Sequence, residues 1–349
     1  MHLTGVKSST RTVAAPSPDD PLPAHDAEPL FSSLNRARGI LAAVSGGPDS
    51  MAMMHLLARW GSEHRPPIIV ATVDHGLRAE AAAEAAFVAR EAAALGFPHH
   101  TLAWTGDKPA TGLQDAAREA RYRLLVGQAR EVGASHLVTA HTQDDQAETI
   151  LMRLARGSGL KGLRGMRREL ERDGVVHARP LLDWPKARLV DLCRRNGWAF
   201  VSDPSNADER FTRVRWRRLM PLLAEEGLSA GRLARLAERI TQADDALEIK
   251  ARQAFDAADP VMEEGGLSFR AACLAEEPFE IALRVLERAL SEIRLENNRL
   301  QRLEACLERL RAALPAGGSL RLTIAGALLH LDRAGRLRMR PEPPRSRGR

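Results

Sequence analysis

Between residues 40 and 60 the chain passes from an apolar run, Ile40-Leu-Ala-Ala-Val44, through Ser45-Gly46-Gly47-Pro48-Asp49-Ser50 into an apolar stretch, Met51–Trp60. A buried strand that enters a Gly-rich turn and then a helix N-terminus builds a phosphate trap. N–H groups of the turn and the first helical turn converge on the anion, and the helix dipole adds to them. Gly46 and Gly47 allow close backbone approach, and Ser45 and Ser50 offer hydroxyls. Asp49 would repel a phosphate unless a divalent cation lay between them, so its presence implies Mg²⁺. An ordinary βα turn with Ser50 or Asp49 as N-cap explains one such residue, but not two serines, two glycines and an aspartate together. The pattern G-x-x-x-x-G-K-[ST] is absent, and no lysine near the loop in sequence could reach terminal phosphates.

The same alternation continues. Ile40–Val44, Ile68–Val73, His99–Trp104 and His136–Ala140 read as strands, and about Ser50–Trp60, Ala79–Leu95 and Leu113–Val132 as helices. Strands alternating with helices imply right-handed βαβ units and an α/β, doubly wound parallel sheet, with ligands beyond the carboxyl ends of its strands. With 349 residues, two domains are expected. Residues 1–29 are rich in Pro, Ser and Ala without periodicity and read as a disordered tail, so the catalytic domain is placed at 34–226 after a tail over 1–33. Helical spacing of Leu, Ile and Phe over 229–257, 279–295 and 297–313, then alternation over Leu320–Leu331 and Arg336–Arg340 about the Asp332–Gly335 turn, predict a mainly helical domain over 227–341. It ends in a short β-hairpin, and a basic tail follows over 342–349.

Composition narrows the function. Hydrophobic residues make up 44% and no apolar run reaches the ~18–20 residues that span a bilayer, so a membrane protein is excluded. Cys193, Cys273 and Cys306 are far apart and form no C-x-x-C pair, which argues against a disulfide scaffold or zinc ribbon and for a reducing, cytoplasmic setting. Arginine is overused throughout, 46 against 5 Lys, but its segregation is informative. Residues 153–218 carry 17 Arg/Lys against 8 Asp/Glu, and 321–349 carry 8 Arg against 2, leaving the rest net acidic. Two basic segments on an acidic chain point to a polyanionic partner.

Two further constellations fall at strand ends. Val73-Asp74-His75-Gly76 stands at the tip of the strand beside the first, where a nucleoside would lie; a turn with a helix cap shows the same residues. His136-Leu-Val-Thr-Ala140 runs into His141-Thr142-Gln143-Asp144-Asp145-Gln146-Ala147-Glu148-Thr149. On a helix from Thr142, His141, Asp145 and Glu148 share one side, and Asp144 stacks on Glu148. Thr142-x-x-Asp145 could serve as a capping box. Capping explains neither His141 nor three crowded carboxylates, whose repulsion calls for Mg²⁺ or an amine.

Together these blocks resemble the tRNA(Ile)-lysidine synthetase family of the PP-loop ATP pyrophosphatases. The resemblance rests on SGGPDS (45–50), VDHGLR (73–78), AAREARY (116–122), TAHTQDDQAET (139–149), ARGSGLKGL (155–163), RPLL (179–182) and SDPSN (202–206). It departs at Val214, where the family often has Asn. It implies a five-stranded parallel sheet of the adenine-nucleotide α-hydrolase kind and a tRNA-binding helical domain. The implied reaction joins L-lysine to the wobble cytidine of a CAU-anticodon isoleucine tRNA through an adenylylated base, with release of AMP and pyrophosphate. By motif position, Ser45, Gly46, Gly47, Pro48, Asp49 and Ser50 would hold ATP and Asp49 its Mg²⁺, with Asp74 and His75 near the adenosine. Asp49, His141 and Asp145 would be catalytic, His141 contacting the α-phosphate or shuttling a proton. Arg118, Asp144, Asp145 and Glu148 would grip lysine, and Arg210, Arg213, Arg215 and Arg217 the tRNA.

Two other enzymes of the same scaffold compete. A tRNA thiolase needs cysteine pairs that this chain lacks, and a small-molecule amide-forming synthetase leaves the basic segments, RPLL and DPSN without a purpose. An RNA-binding protein with a vestigial nucleotide site is hard to square with two intact motifs. The sequence leaves the oligomeric state open, a homodimer included.

Overall fold

The computed structural model describes residues 27–61, 65–106, 108–109, 111–201, 212–295 and 300–343. Two units are present. One takes the chain up to Met152 and again Gly165–Ala234; the other takes Arg153–Arg164 and the chain from Arg235 onward. This division differs from the single boundary expected at 226/227, chiefly because 153–164 groups with the later residues.

The expected tail falls mostly outside the described residues, but its last part is ordered. Helix α1 (Ala27–Phe31) and a 3-10 turn (Ser32–Arg36) bury Phe31 and Leu34, and Phe31 packs on Trp60 with ring centroids 5.5 Å apart. The first unit then runs β1 (Ile40–Ala43), α2 (Pro48–Arg59), β2 (Ile68–Asp74), α3 (Ala81–Ala94), β3 (His99–Ala103), α4 (Leu113–Glu131), β4 (His136–Thr139) and α5 (Gln143–Ala155). All four expected strands and the three expected helices form. The end of α5 and the one-turn α6 (Leu160–Leu163) belong to the other unit, and the first resumes with β5 (Glu169–Arg172), β6 (Val175–Ala178), α7 (Lys186–Asn196) and α8 (Thr212–Glu225).

The sheet order is β3-β2-β1-β4-β6-β5. Five strands are parallel, and β5 adds an antiparallel edge that the resemblance did not imply, paired Arg172↔Val175. Asp173 and Gly174, both at positive φ, make the tight turn between β5 and β6. β1 is central and buried on both faces. Ile40, Ala42 and Val44 pack into one cluster with Met51, Met54 and Leu57 of α2 and Leu189 of α7; Leu41 and Ala43 pack into another with Leu125 and Ala129 of α4. From β1 the chain winds outward through β2 and β3, then returns to β4 on the other side. The crevice at the carboxyl ends of β1 and β4 is therefore the switch point, where ligands of such sheets bind.

The second unit contains most of α9 (Ala230–Ala257), then β7 (Val261–Glu263), β8 (Gly266–Arg270), α10 (Ala272–Glu276), α11 (Phe279–Glu292), α12 (Leu300–Ala313), β9 (Leu320–Ile324), β10 (Ala327–Leu331) and β11 (Arg336–Pro341). The expected hairpin is part of a five-stranded antiparallel sheet, β7-β8-β11-β10-β9. A turn at Ala325 and Gly326, both at positive φ, divides the apolar run 320–331 into two strands. Phe269, Leu286, Leu307, Leu329 and Leu337 share its core. Asp244, almost wholly buried, pairs with both Arg164 and Arg284. No helix among the described residues is long and apolar enough to cross a membrane.

Candidate active site

The Gly-rich loop adopts the geometry its residues prescribe. Gly46 sits at φ +86°, where a side chain would be strained, and its carbonyl accepts from Val201 N–H at 2.9 Å. Gly47 is the N-cap of α2 and Pro48 its first residue, which leaves the Asp49 and Ser50 N–H groups at an open N-terminus. Ser50 braces the loop instead of pointing free. Its hydroxyl donates to Gly47 C=O at 3.0 Å and accepts from Ser45 N–H at 3.1 Å, while the Ser45 side chain is exposed.

Asp49 Oδ2 accepts from Lys186 Nζ at 2.9 Å, 137 residues away in sequence. No lysine lies near the loop in sequence, as expected, but the fold brings one from far along the chain. The chain folds back so that α7 packs along α2: His55 stacks flat on Trp198 at 4.5 Å, and Cys193 Sγ lies 3.5 Å from Pro48 C=O. Asp49 Oδ1, in contrast, is buried without a hydrogen-bond partner among the described residues. Burial raises the Asp49 pKa against the opposing pull of Lys186. An orphaned buried carboxylate oxygen beside an anion-binding loop fits a residue that would hold Mg²⁺. Among the described residues no three His, Cys, Asp or Glu side chains converge to cage a metal unaided.

A cavity of about 370 Å³ opens at the ends of β1 and β2, lined by Ser45, Gly47, Thr72, His75 and Arg121 among others. His75 faces it, edge-on to Trp104. Asp74 does not: its Oδ1 accepts from Gly76 N–H at 2.7 Å and shapes the turn, the local role such a residue often has.

The acidic helix divides its work. Thr142 caps α5 in the reciprocal box anticipated from the spacing: Asp145 Oδ2 accepts from Thr142 N–H at 2.9 Å, and Thr142 Oγ1 accepts from Asp145 N–H at 3.3 Å. Asp145 Oδ1 stays on the side of Arg217, 3.7 Å away. Glu148, almost fully buried, holds Arg217 Nε at 2.5 Å. Asp144 turns elsewhere, accepting the backbone N–H of Lys186 at 2.7 Å and so fixing the start of α7. Gly165 passes so close to α5 that a Cβ there would lie 2.5 Å from Gln146 Oε1, and its φ is +69°. Gln146 in turn bridges to Met166 N–H and C=O.

His141 Nδ1 lies 2.7 Å from Thr139 Oγ1, which lies 2.8 Å from His177 Nε2; His177 Nδ1 is 3.0 Å from Arg179 Nη2. Arg118 and Arg172 stack over Tyr122, 5.2 and 4.9 Å from its centroid, and Tyr122 contacts His177. Burial first, then the charges of Arg179, Arg121, Arg118 and Arg213, hold His141 well below the usual histidine pKa. Burial first, then the charges of Arg179, His141, Arg172 and Arg121, bring His177 down to about 2. Arg118 thus stands among cations beside Tyr122, not against the carboxylates.

The basic segment is only partly as expected. Ser202–Asn206 and Arg210 lie outside the described residues. On α8, Val214 is buried, Arg215 is exposed and Arg213 is half-buried. Arg217, expected to face tRNA, turns inward to Glu148 and Asp145. Sequence reasoning missed Lys186, His177 and Arg179 as site residues. The RPLL block held the only signal, an arginine just after an apolar strand.

Residues 24–223 match the family described as the PP-loop domain. The chain is 55% identical to the tRNA(Ile)-lysidine synthase of Methylobacterium nodulans over 89% of this chain and 93% of the relative. It is 52% identical to that of Rhodopseudomonas palustris over 93% and 96%. Among solved structures it is similar to the U34-tRNA thiolase NcsA from Methanococcus maripaludis, at a TM-score of 0.54 and 16% identity over 62% of this chain and 79% of that one. That likeness is one of fold.

Proposed function

The chain belongs to the tRNA(Ile)-lysidine synthase family, and on that premise we infer how its residues join L-lysine to tRNA(Ile) at the expense of ATP. The target is the wobble cytidine of a CAU anticodon. The base attacks the α-phosphate of ATP and pyrophosphate leaves; lysine's side-chain amine then displaces AMP to give lysidine. Adenylation turns a poor leaving oxygen into a good one. The relatives' names favour this reading over a thiolase or a small-molecule synthetase.

The observation that carries the residue assignment is the placing of Asp49, with its unpartnered oxygen, in an anion-binding loop at the end of β1. Gly46, Gly47 and the α2 N-terminus would cradle the departing pyrophosphate, with Ser45 donating and Ser50 holding the loop in shape. Asp49 would hold Mg²⁺, which supplies charge neutralisation for the leaving group. Lys186 would keep Asp49 ionised despite its burial. Thr72, His75 and Arg121 would line the nucleoside side. His141 would address the α-phosphate. Asp145 and Glu148 would receive the lysine ammonium, while Asp144 and Arg118 support the surrounding elements. Arg213 and Arg215, with Arg210, would meet tRNA phosphates. The setting is the cytoplasm, as monomer or homodimer.

The test is product formation. AMP and pyrophosphate should accumulate over many turnovers only when lysine and the isoleucine tRNA are both present. Accumulation with ATP and lysine alone would overturn the reading in favour of a small-molecule synthetase.

A further inference from the structure

Beneath His141 runs an unbroken line of side chains from two neighbouring chain segments. Thr139 ends β4, His177 lies on the neighbouring β6, and Arg179 follows β6 directly; Thr139 and His177 are fully buried. The three contacts along the line measure 2.7, 2.8 and 3.0 Å.

The direction of each hydrogen bond follows from chemistry. A guanidinium has donors only, so Arg179 Nη2–H must donate to His177 Nδ1, which therefore carries no proton. Neutral His177 then bears its proton on Nε2 and donates it to Thr139 Oγ1. The single hydroxyl proton of Thr139 is left for one acceptor, His141 Nδ1. The reverse direction would set an N–H of His177 against an N–H of Arg179 in a buried, water-poor position, at the cost of an unmade bond. His141 Nε2 has no hydrogen-bond partner among the described residues.

We infer that Arg179, acting through His177 and Thr139, sets the tautomer of His141, so that its ring stands neutral and presents Nε2–H as a donor. The donor role rests on the reading of His141 as the group beside the α-phosphate; the tautomer does not. The line resolves the two roles that the sequence leaves open. A ring whose Nδ1 is engaged and whose Nε2 is protonated cannot accept a proton from the attacking base at Nε2. It can stabilise the charge on the α-phosphate's non-bridging oxygens in the transition state, as a fixed donor that needs no reorganisation. The surrounding guanidiniums of Arg118, Arg121, Arg179 and Arg213 act in the same sense by disfavouring an imidazolium. Arg179, His177 and Thr139 are positioning residues.

The experiment uses the full-length protein with ¹⁵N-labelled histidine, the His141 resonances being assigned by their loss in His141→Gln. Without ligand, Nδ1 should resonate as an unprotonated nitrogen and Nε2 as a protonated one. Thr139→Val keeps the shape but removes the hydroxyl; it should release the tautomer and lower kcat for adenylation about 10²-fold with little change in KM for ATP. Thr139→Ser should restore both. His177→Gln can still accept from Arg179 and donate to Thr139, so it should keep the wild-type tautomer, whereas His177→Leu should not. A protonated Nδ1 in the unliganded protein overturns the relay whatever the activity. The expected tautomer together with normal adenylation by Thr139→Val overturns instead the donor role of His141 at the phosphate.

Discussion

Arg217 reaches from α8 to α5 and places its Nε 2.5 Å from Glu148 Oε1, a carboxylate whose side chain is only 2% exposed. Asp145 Oδ1 lies 3.7 Å from the same guanidinium. One cation that such carboxylates require is thus supplied within the chain, and the substrate's ammonium would share the two carboxylates with it or displace it. An arginine expected to face the tRNA turns out to neutralise the acidic helix.

Removing Arg217 should therefore act on stability before it acts on RNA. Arg217→Ala leaves Glu148 buried and unpaired, which should cost about 2–3 kcal/mol, below the full buried-pair loss because Arg217 is partly exposed. Burial already raises the Glu148 pKa. A carboxyl raised in the folded state is a burden above its folded pKa, relieved as pH falls through that value. The loss in Tm should accordingly be larger near pH 8 than near pH 5, and adding Glu148→Gln should recover most of it. A pH-independent loss, or none, would show that the pair carries little.

Asp145 combines a cap with a charge, and two substitutions separate them. Asp145→Asn keeps an acceptor for Thr142 N–H, so stability should change little while KM for lysine rises at least tenfold. Asp145→Ala should add a capping loss of about 1 kcal/mol. Steady-state kinetics with lysine and ATP varied in turn provide the check. A rise in KM for ATP as large as that for lysine would assign Asp145 to the nucleotide or its metal.

The parts legible in the sequence are those whose cause is local. β1, its glycine turn and α2 follow from a buried run, two glycines and a proline in order, and the Thr142–Asp145 box follows from spacing alone. The β5–β6 hairpin was missed although Asp173-Gly174 is a turn signal, because Glu169–Arg172 is an exposed edge with no apolar alternation. Lys186, Arg217 and the Arg179–His177–Thr139 line depend on packing between segments far apart in sequence. Nothing in the residues around Lys186 says that its ammonium will meet Asp49. A count of arginines likewise cannot tell a solvated one from one turned into the fold.

In the Asp49–Lys186 pair the carboxylate is 19% and the lysine side chain 41% exposed, so the pair is partly solvated and neither partner should matter much to folding. Asp49→Asn should shift Tm by less than the equivalent of ~1 kcal/mol yet lower the rate of pyrophosphate release by ~10²–10³-fold or more. Single-turnover release of labelled pyrophosphate, with Mg²⁺ titrated, measures this directly. Near-normal release by Asp49→Asn would remove Asp49 from the leaving-group site. Lys186→Met should weaken the same step by a smaller factor, because it leaves the Asp49 carboxylate in place but easier to protonate.

The tRNA contact is now assigned to fewer arginines than the basic stretch contains. Arg215 is exposed on α8, with Thr212 Oγ1 3.2 Å away, and Arg213 is half-buried with its charge felt at His141. A phosphate contact releases condensed counterions, so each lost contact should flatten the plot of log affinity against log salt by about 0.7–0.9. Arg215→Ala should weaken tRNA binding, reduce that slope by about one contact's worth, and leave ATP affinity and Tm nearly unchanged. Arg217→Ala is the control from the same helix: it should lower Tm, while any loss of tRNA affinity comes without the change in slope. Filter binding over a series of salt concentrations distinguishes the two. If Arg215→Ala leaves the slope as it was and Arg217→Ala flattens it, Arg217 must exchange Glu148 for a phosphate when the tRNA arrives. The inward pair would then belong to the unbound state alone.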